Sequence, residues 1–468
     1  MAAITGKNQQ TLLHGPIFTG ILRFALPIML TMLLQALYQA ADMIVVGWSG
    51  ESNAVGAIGA CGAMLNLLVN VFVGVSAGAN VVVAQSIGAG DRDATERAVH
   101  TAIPVGVILG FAALVVGELA CRPVLAWLGT NENVIGLSAT YAAIYIAGAP
   151  VMCLTNYAAA IYRAKGDSKT PLRVLAISGL CNVVLNFFFV MAFGMNVDGV
   201  ALATVLSNVI SAVWLTVGLM REDGWCRLMP RKLHIYKDEF VRIMKIGIPS
   251  GIESALYALS NMLIQSSIWG LNNSLTPVNN AIQNGNAAGQ SIDHFSSVVM
   301  NSFYQASVTY VGQHYGAKNY ERLKRVNRML YVVTLLAWVC FSSVVLLLRH
   351  PLISLYVHGA DENALEIAKY AEIRMFWLLG AHGLLGMMNV GSGILRGMGR
   401  SSTATAISLI GSAGMRVVWL STAFAANPNL NMLYAVYPVT WIITVLGYLP
   451  FIWYAMNKLK KEVRGQIA

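Results

Sequence analysis

Residues Ser52–Gly90 read SNAVGAIGACGAMLNLLVNVFVGVSAGANVVVAQSIGAG, without a single Asp, Glu, Lys or Arg. Ser254–Ile292 and Val417–Asn457 are equally free of charge. About 20 apolar residues already cross a bilayer, so runs of this length exceed what a soluble core needs. In lipid the backbone must satisfy its own hydrogen bonds, and these runs lack the period-2 alternation of barrel strands, which leaves helices. The whole chain agrees: of 468 residues, 56% are hydrophobic and 11% charged, against roughly 25% charged in soluble domains. The expected fold class is an all-α polytopic membrane protein.

Charge gaps and turn residues predict twelve transmembrane helices. Six lie near 22–46, 54–84, 98–121, 138–162, 173–194 and 199–220. Six more lie near 247–270, 281–312, 329–349, 370–395, 403–425 and 432–456. With the N-terminus inside, 26 of the 31 Lys and Arg fall in inner segments, including Lys7, the 221–245 linker and the tail Lys458–Arg464. The exceptions are Arg122, Arg349, Lys369, Arg374 and Arg416. This skew predicts two cytoplasmic termini, in a plasma (inner) membrane of prokaryotic type. The net charge of +10 then reads as a topology signal and a contact for anionic lipid, with no nucleic-acid groove. Met1–Phe18 is polar and the first apolar stretch is a full span, so no cleavable signal peptide is expected.

A phrase is repeated. Ile161–Pro171, IYRAKGDSKTP, returns as Ile394–Thr405, ILRGMGRSSTAT. FALPIM at Phe24–Met29 returns as IGIPSG at Ile246–Gly251, and QSIGAG at Gln85 as QHYGAK at Gln313. The offsets of 222, 228 and 233 are near half the chain and predict two homologous halves. Both Arg-x-x-Gly copies fall in equivalent cytoplasmic loops, so the repeat is parallel. The domains expected are a six-helix lobe at 1–220, a linker at 221–245, a second six-helix lobe at 246–456 and a tail at 457–468. Within the linker, Tyr236–Lys245 reads as a short interfacial helix.

Several motifs carry no chemistry. Gly74-Val-Ser-Ala-Gly78 matches a hydrolase elbow but lies in an apolar helix, where small-xxx-small packing is the stronger reading. No P-loop occurs, and eight His and six Cys show neither HExxH nor CxxC, so neither a cofactor nor a resident metal is expected and the chain does not read as an enzyme.

Intramembrane polar residues are the candidates that remain, because an acid at mid-span is costly and rarely idle. Asp42 ends an uncharged run from Phe24; it is either a coupling group or an acid snorkelling at the outer face. Asn182 and Asn186, four apart on one helix face, and Thr204 could cage Na⁺, bond a protonated acid, or tie helices together. Glu253, one turn beyond Pro249, could meet Lys245 or Arg242. Asp293 follows Asn284, Asn286, Gln290 and Ser291, which suggests a wet face. Arg416 is the basic residue that stands out inside a span; it would pair with an acid or a substrate, or brace its helix through carbonyls. Pro27, Pro104, Pro150 and Pro249 permit bending.

These pieces in this order resemble the multidrug and toxic compound extrusion (MATE) family over about residues 15–456. The resemblance rests on FALPIM, DMIVVG, QSIGAGD, YRAKGDSKTP, NVVLNFFF followed by GVALAT, and ILRGMG. It implies two pseudo-symmetric six-helix lobes, and export of cationic or amphipathic organic compounds in exchange for H⁺ or Na⁺, by a monomer surrounded by lipid. It also implies an ion site of Asp42, Asn182, Asn186 and Thr204. Some branches carry an acid where this chain has Asn186, which leaves Asp42 as the main titratable member. Similar bacterial sequences often carry another where this chain has Asn389, and Glu253 lies too near its helix start to complete a second site. A flippase for a lipid-linked precursor is the alternative; it would need several cationic side chains in a cavity.

Overall fold

The computed structural model describes residues 12–48, 54–127, 132–274, 279–357 and 363–465. Lys7 and the last residues of the tail lie outside them. The helices are α1 (Ile17–Gly47), α2 (Ala54–Ala89), α3 (Arg92–Trp127), α4 (Glu132–Ala147), α5 (Ala149–Ala164), α6 (Lys169–Phe187), α7 (Val197–Met220) and α8 (Lys237–Asn273). They continue with α9 (Ala281–Gly316), α10 (Tyr320–Leu347), α11 (Arg349–Ser354), α12 (Ala364–Gly397), α13 (Ser401–Ser408), α14 (Met415–Trp419) and α15 (Leu430–Val463). Wider π turns, Phe188–Ala192, Leu409–Gly414 and Leu420–Phe424, follow α6 and flank α14.

These pieces form twelve rods, six before the linker and six after it. Among the described residues, nine rods are long and apolar enough to cross a membrane, and α4 with α5, bent by 46°, makes a tenth. The bend follows from Pro150, which cannot donate to the preceding turn. The other two rods, α8 and α9, run for 37 and 36 residues but are too polar to pass on composition. They bury Ser260, Asn286, Asp293, Ser296, Gln305 and Gln313, while Asn261, Ser266, Asn284, Gln290, Ser291 and His294 stay exposed. One expectation is corrected: Tyr236–Lys245 is not a separate interfacial helix, because α8 starts at Lys237 and runs on unbroken.

The repeated phrase is a helix stop. Gly166 and Gly399 have φ of +92° and +79°, a left-handed conformation that costs residues with a Cβ and not glycine. Around Gly166, its N–H bonds Arg163 O at 2.9 Å and Asp167 N–H bonds Tyr162 O at 3.0 Å. Around Gly399 the equivalent bonds reach Arg396 O at 2.7 Å and Leu395 O at 2.9 Å. Both are Schellman caps that satisfy the last carbonyls of α5 and α12. The phrase recurs because two equivalent helices end identically.

Contacts divide the chain into two compact units. Unit 1 comprises Met1–Gly15, Leu26–Ala255 and Gly312–Ala317; unit 2 comprises Pro16–Ala25, Leu256–Val311 and Lys318–Ala468. Helices α1, α8 and α9 are therefore each shared between units. Within unit 1 the QSIGAG and QHYGAK copies pack reciprocally: a Cβ on Gly88 would collide with the Gln313 carbonyl, and one on Gly316 with the Gln85 carbonyl. The Gly74-to-Gly78 stretch lies equally close to the α8 backbone at Ser250–Gly251 and Ile243–Gly247, which is small-residue packing rather than a nucleophile elbow.

The linker is anchored to unit 1. Glu222 pairs with Lys165 at 2.6 Å, Glu239 with Arg97 at 2.8 Å, and Met229 N–H donates to His100 Nε2 at 3.1 Å. Burial, with the Glu222 carboxylate beside it, pushes the Cys226 thiol up to about 12, so this cysteine packs rather than reacts.

Candidate functional site

Three helices of unit 1 bring Asp42, Asn182, Asn186 and Thr204 together. Asn186 Nδ2 donates to Asp42 Oδ1 at 2.5 Å, and Thr204 Oγ1 to Asp42 Oδ2 at 3.5 Å. Asn186 Nδ2 also approaches Asn182 Oδ1 at 3.4 Å, and Asn182 Nδ2 approaches Thr204 Oγ1 at 3.4 Å. The ring of contacts is closed. Asp42, Asn182 and Asn186 are buried, and Thr204 is half-buried.

Helical spacing explains how the ring forms. Tyr38 and Asp42 are four apart on α1, while Gly179, Asn182 and Asn186 follow at three and seven on α6, so each set shares a face. Gly179 is the point of closest approach: a Cβ there would fall inside the Tyr38 ring. Tyr38 Oη then donates to Ala176 O at 3.1 Å. The clamp sets the α1–α6 separation one turn from the carboxylate. Immediately after Asn186, α6 widens into the π turn Phe188–Ala192, a feature frequent at functional sites. An apolar core containing Val45, Val46, Tyr141, Val197 and Val200 surrounds this region.

The chemistry of the donor set suits a small cation. Asn186 Oδ1 is buried and has no hydrogen-bond partner among the described residues. A buried acceptor without a donor is costly. Here it stands beside a carboxylate, and the Asn182 carbonyl and Thr204 hydroxyl supply further oxygens. Such a set can accept a proton on Asp42 or coordinate Na⁺. Gly179→Val should force α1 away from α6 and cost roughly 1–3 kcal/mol of overpacking, read as a shorter half-life of monodisperse protein in detergent at a fixed temperature. A half-life equal to that of the native protein would refute the clamp.

The other sequence candidates lie elsewhere. Glu253 is buried on α8 within unit 1, and Asn389 is half-buried on α12. Asp293 is buried in unit 2, where Arg374 Nε donates to its Oδ2 at 2.7 Å. Arg374 Nη1 donates to Asn286 Oδ1 at 2.7 Å, and Tyr434 Oη reaches the same oxygen at 3.0 Å. Arg416 donates from Nη1 to Asn261 Oδ1 at 2.9 Å, so its bond goes to a side chain rather than to the carbonyls that would brace its helix. Sequence reasoning set Arg416 apart as the basic residue inside a span and passed over Arg374, which is 5% exposed. The signal was available: Arg374 lies within the apolar run predicted at 370–395.

The MatE family model matches this chain twice, over residues 27–188 and 249–420. The two blocks cover more than half of the chain and start 222 residues apart, as do Pro27 and Pro249. The chain is 26% identical over 446 residues to "Probable multidrug resistance protein YoeA" of Bacillus subtilis (strain 168), covering 92% of this chain and 93% of that protein. Among solved structures, a MOP superfamily transporter from Pyrococcus furiosus superposes with a TM-score of 0.86 at 20% identity, covering 97% of this chain and 99% of the other. An outward-facing multidrug resistance MATE family transporter gives 0.85 at 20% identity, covering 98% and 100%. These likenesses extend over the twelve-rod fold.

Proposed function

The chain belongs to the MatE family, a family of multi-pass membrane proteins, and on that premise we propose that it exports cationic or amphipathic organic compounds by antiport with H⁺ or Na⁺. The ion loads at Asp42, with Asn182, Asn186 and Thr204 as oxygen partners. Loading neutralises the carboxylate and removes the reason for Asn186 and Thr204 to point their donors at it. The helices α1, α6 and α7 then repack, and the repacked form releases the organic compound outward. Antiport requires that ion and compound favour different conformations, because a ligand shifts an equilibrium only by its difference in affinity for the two states.

One observation supports this reading above the others: a buried carboxylate ringed by amide and hydroxyl groups, next to an amide oxygen with no partner. Most buried polar groups find a partner, so an open acceptor beside a carboxylate favours a site that takes up a cation. The name of the Bacillus subtilis relative, a probable multidrug resistance protein, points to organic compounds as cargo and gives the flippase alternative no support. The 21 methionines suit broad specificity, since flexible thioethers repack around different shapes.

In this proposal the functional halves are lobes at 1–220 and 246–456, joined by a cytoplasmic linker at 221–245 and followed by a cytoplasmic tail. They alternate access as a monomer in a prokaryotic inner membrane, with both termini inside. Glu253 and Asn389 supply polar surface outside the ion site. The test is dye efflux in everted vesicles, driven separately by a pH gradient and a Na⁺ gradient. Cationic dye should move with at least one gradient and stop when it is collapsed. Dye movement indifferent to both gradients would overturn antiport.

A further inference from the structure

Six cations of unit 2 gather on two neighbouring helices without a counter-charge. Asn327 Nδ2 donates to Met456 Sδ at 3.6 Å, and Lys460 Nζ lies 5.9 Å from the Tyr320 ring centroid, so α10 and α15 run side by side in opposite directions. The start of α10 holds Lys324, Arg325 and Arg328, and the end of α15 with its cap holds Lys460, Lys461 and Arg464. All but the half-buried Lys460 are exposed. Glu462 faces Lys458 at 3.9 Å, and among the described residues no carboxylate pairs with any of the six. Helical spacing sets where these groups lie. Arg325, Arg328, Val332, Leu336 and Val339 share one exposed stripe of α10. Leu446, Leu449, Trp453, Lys460 and Arg464 share one stripe of α15, exposed except at Lys460. Arg328 lies one residue beyond the contact at Asn327, and Lys461 five beyond the contact at Met456. At about 100° per residue these steps turn by about 100° and about 140° in the same sense. Antiparallel helices of one hand are related by a twofold axis normal to their plane, so both stripes open to the same side of the contact. They form the walls of one groove, basic at one end and apolar along the rest.

We propose that this groove binds an anionic phospholipid whose head carries two phosphates, of the diphosphatidylglycerol class. Charge complementarity selects the head: three cations on each wall answer one phosphate each, and basic pockets between transmembrane helices take such heads. A head with one phosphate meets one wall and leaves the cations of the other unanswered. The apolar ends of the stripes select a lipid over a free anion. Val332, Leu336 and Val339 on one wall, and Leu446 and Leu449 on the other, are exposed and flank the path of the acyl chains. A soluble polyanion would meet the cations and leave these walls bare. Trp453, also exposed, stands where the apolar part of its stripe gives way to the basic part, the depth at which tryptophan lies beside lipid heads.

The inference goes beyond the export reading and does not rest on it, and its test involves no transport. Delipidated full-length protein in detergent is titrated with tetraoleoyl diphosphatidylglycerol and, separately, with dioleoyl phosphatidylglycerol at equal phosphate, and bound lipids are counted by native mass spectrometry. The native chain should take up one diphosphatidylglycerol at least about tenfold more tightly than phosphatidylglycerol, the return on three cations meeting a second phosphate. Replacing Lys324, Arg325 and Arg328 by Gln should reduce the preference to near one, and so should replacing Lys460, Lys461 and Arg464. A third variant, Arg227→Gln with Arg231→Gln and Lys237→Gln, removes the same charge from exposed positions of the linker and the start of α8 and should keep the preference. No preference in the native protein overturns the site, and that measurement decides even if a variant fails to fold. An equal loss in all three variants assigns the binding to net charge and overturns it as well. A dimer that forms without lipid and is lost in the first two variants would give this face to a second copy of the chain and would also overturn it.

Discussion

Asp42→Asn is expected to lower ion-driven export to the level of empty vesicles while the purified protein stays folded and monodisperse. The substitution is nearly isosteric. An amide oxygen at position 42 still accepts from Asn186 Nδ2, which reaches Asp42 Oδ1 at 2.5 Å. The new NH₂ replaces the oxygen facing Thr204 Oγ1 at 3.5 Å, where a hydroxyl can turn and accept instead. Packing survives and a desolvated charge disappears, so stability should hold or rise slightly. What is lost is the group whose charge changes when the ion binds. Without it neither H⁺ nor Na⁺ has a differential affinity to apply to the conformational equilibrium, and a ligand without that difference shifts nothing. The assay is efflux of a cationic dye at matched protein levels, together with a size-exclusion profile. Export at the native rate would remove Asp42 from the coupling step and return the cluster to helix tying.

The polar cluster around Asp42 was only partly legible in the residues themselves: a spacing of four places Asn182 and Asn186 on one face, and one acid in an uncharged run draws attention to Asp42, but it was the family resemblance that grouped these with Thr204. The twelve-rod fold was legible locally, since charge-free runs and repeated Gly-containing stops are written along the chain. Pairings between distant segments were not. Arg374 and Asp293 are 81 residues apart; Asp293 alone reads as a wet-face residue, and neither segment marks the other as its partner. Tyr38 and Gly179 likewise carry no mark of their contact, because a glycine in an apolar helix has many uses. The unbroken run of α8 from Lys237 to Asn273 was missed because its first turns are charged. One salt bridge, Glu239 to Arg97 at 2.8 Å, ties that end to α3, and a sequence window sees only the charge.

Removing one partner of the Arg374–Asp293 pair should have the largest effect on stability in unit 2. Arg374 links four helices: it binds Asp293 and Asn286 of α9 from α12, Asn286 in turn binds Gln265 of α8 at 3.3 Å, and Tyr434 of α15 shares the same amide oxygen. Arg374→Met leaves a fully buried carboxylate without its counter-charge. Breaking such a pair from one side costs roughly 3–5 kcal/mol. Replacing both members by apolar residues avoids the stranded charge, and such replacements are often neutral. The double variant Asp293→Leu with Arg374→Met should therefore recover most of what the single variant loses. The measurement is the half-life of monodisperse protein in detergent at a fixed elevated temperature, since membrane-protein unfolding is commonly irreversible and operational stability is then a rate. The single variant should inactivate much faster than the native protein, and the double variant should lie near it. If both variants decay equally fast, the loss comes from the vacated volume or from the Asn286 link. The ion pair would then be a passenger in this network rather than its keystone, and the buried polar residues of α8 and α9 would owe their burial to amide and hydroxyl bonds alone.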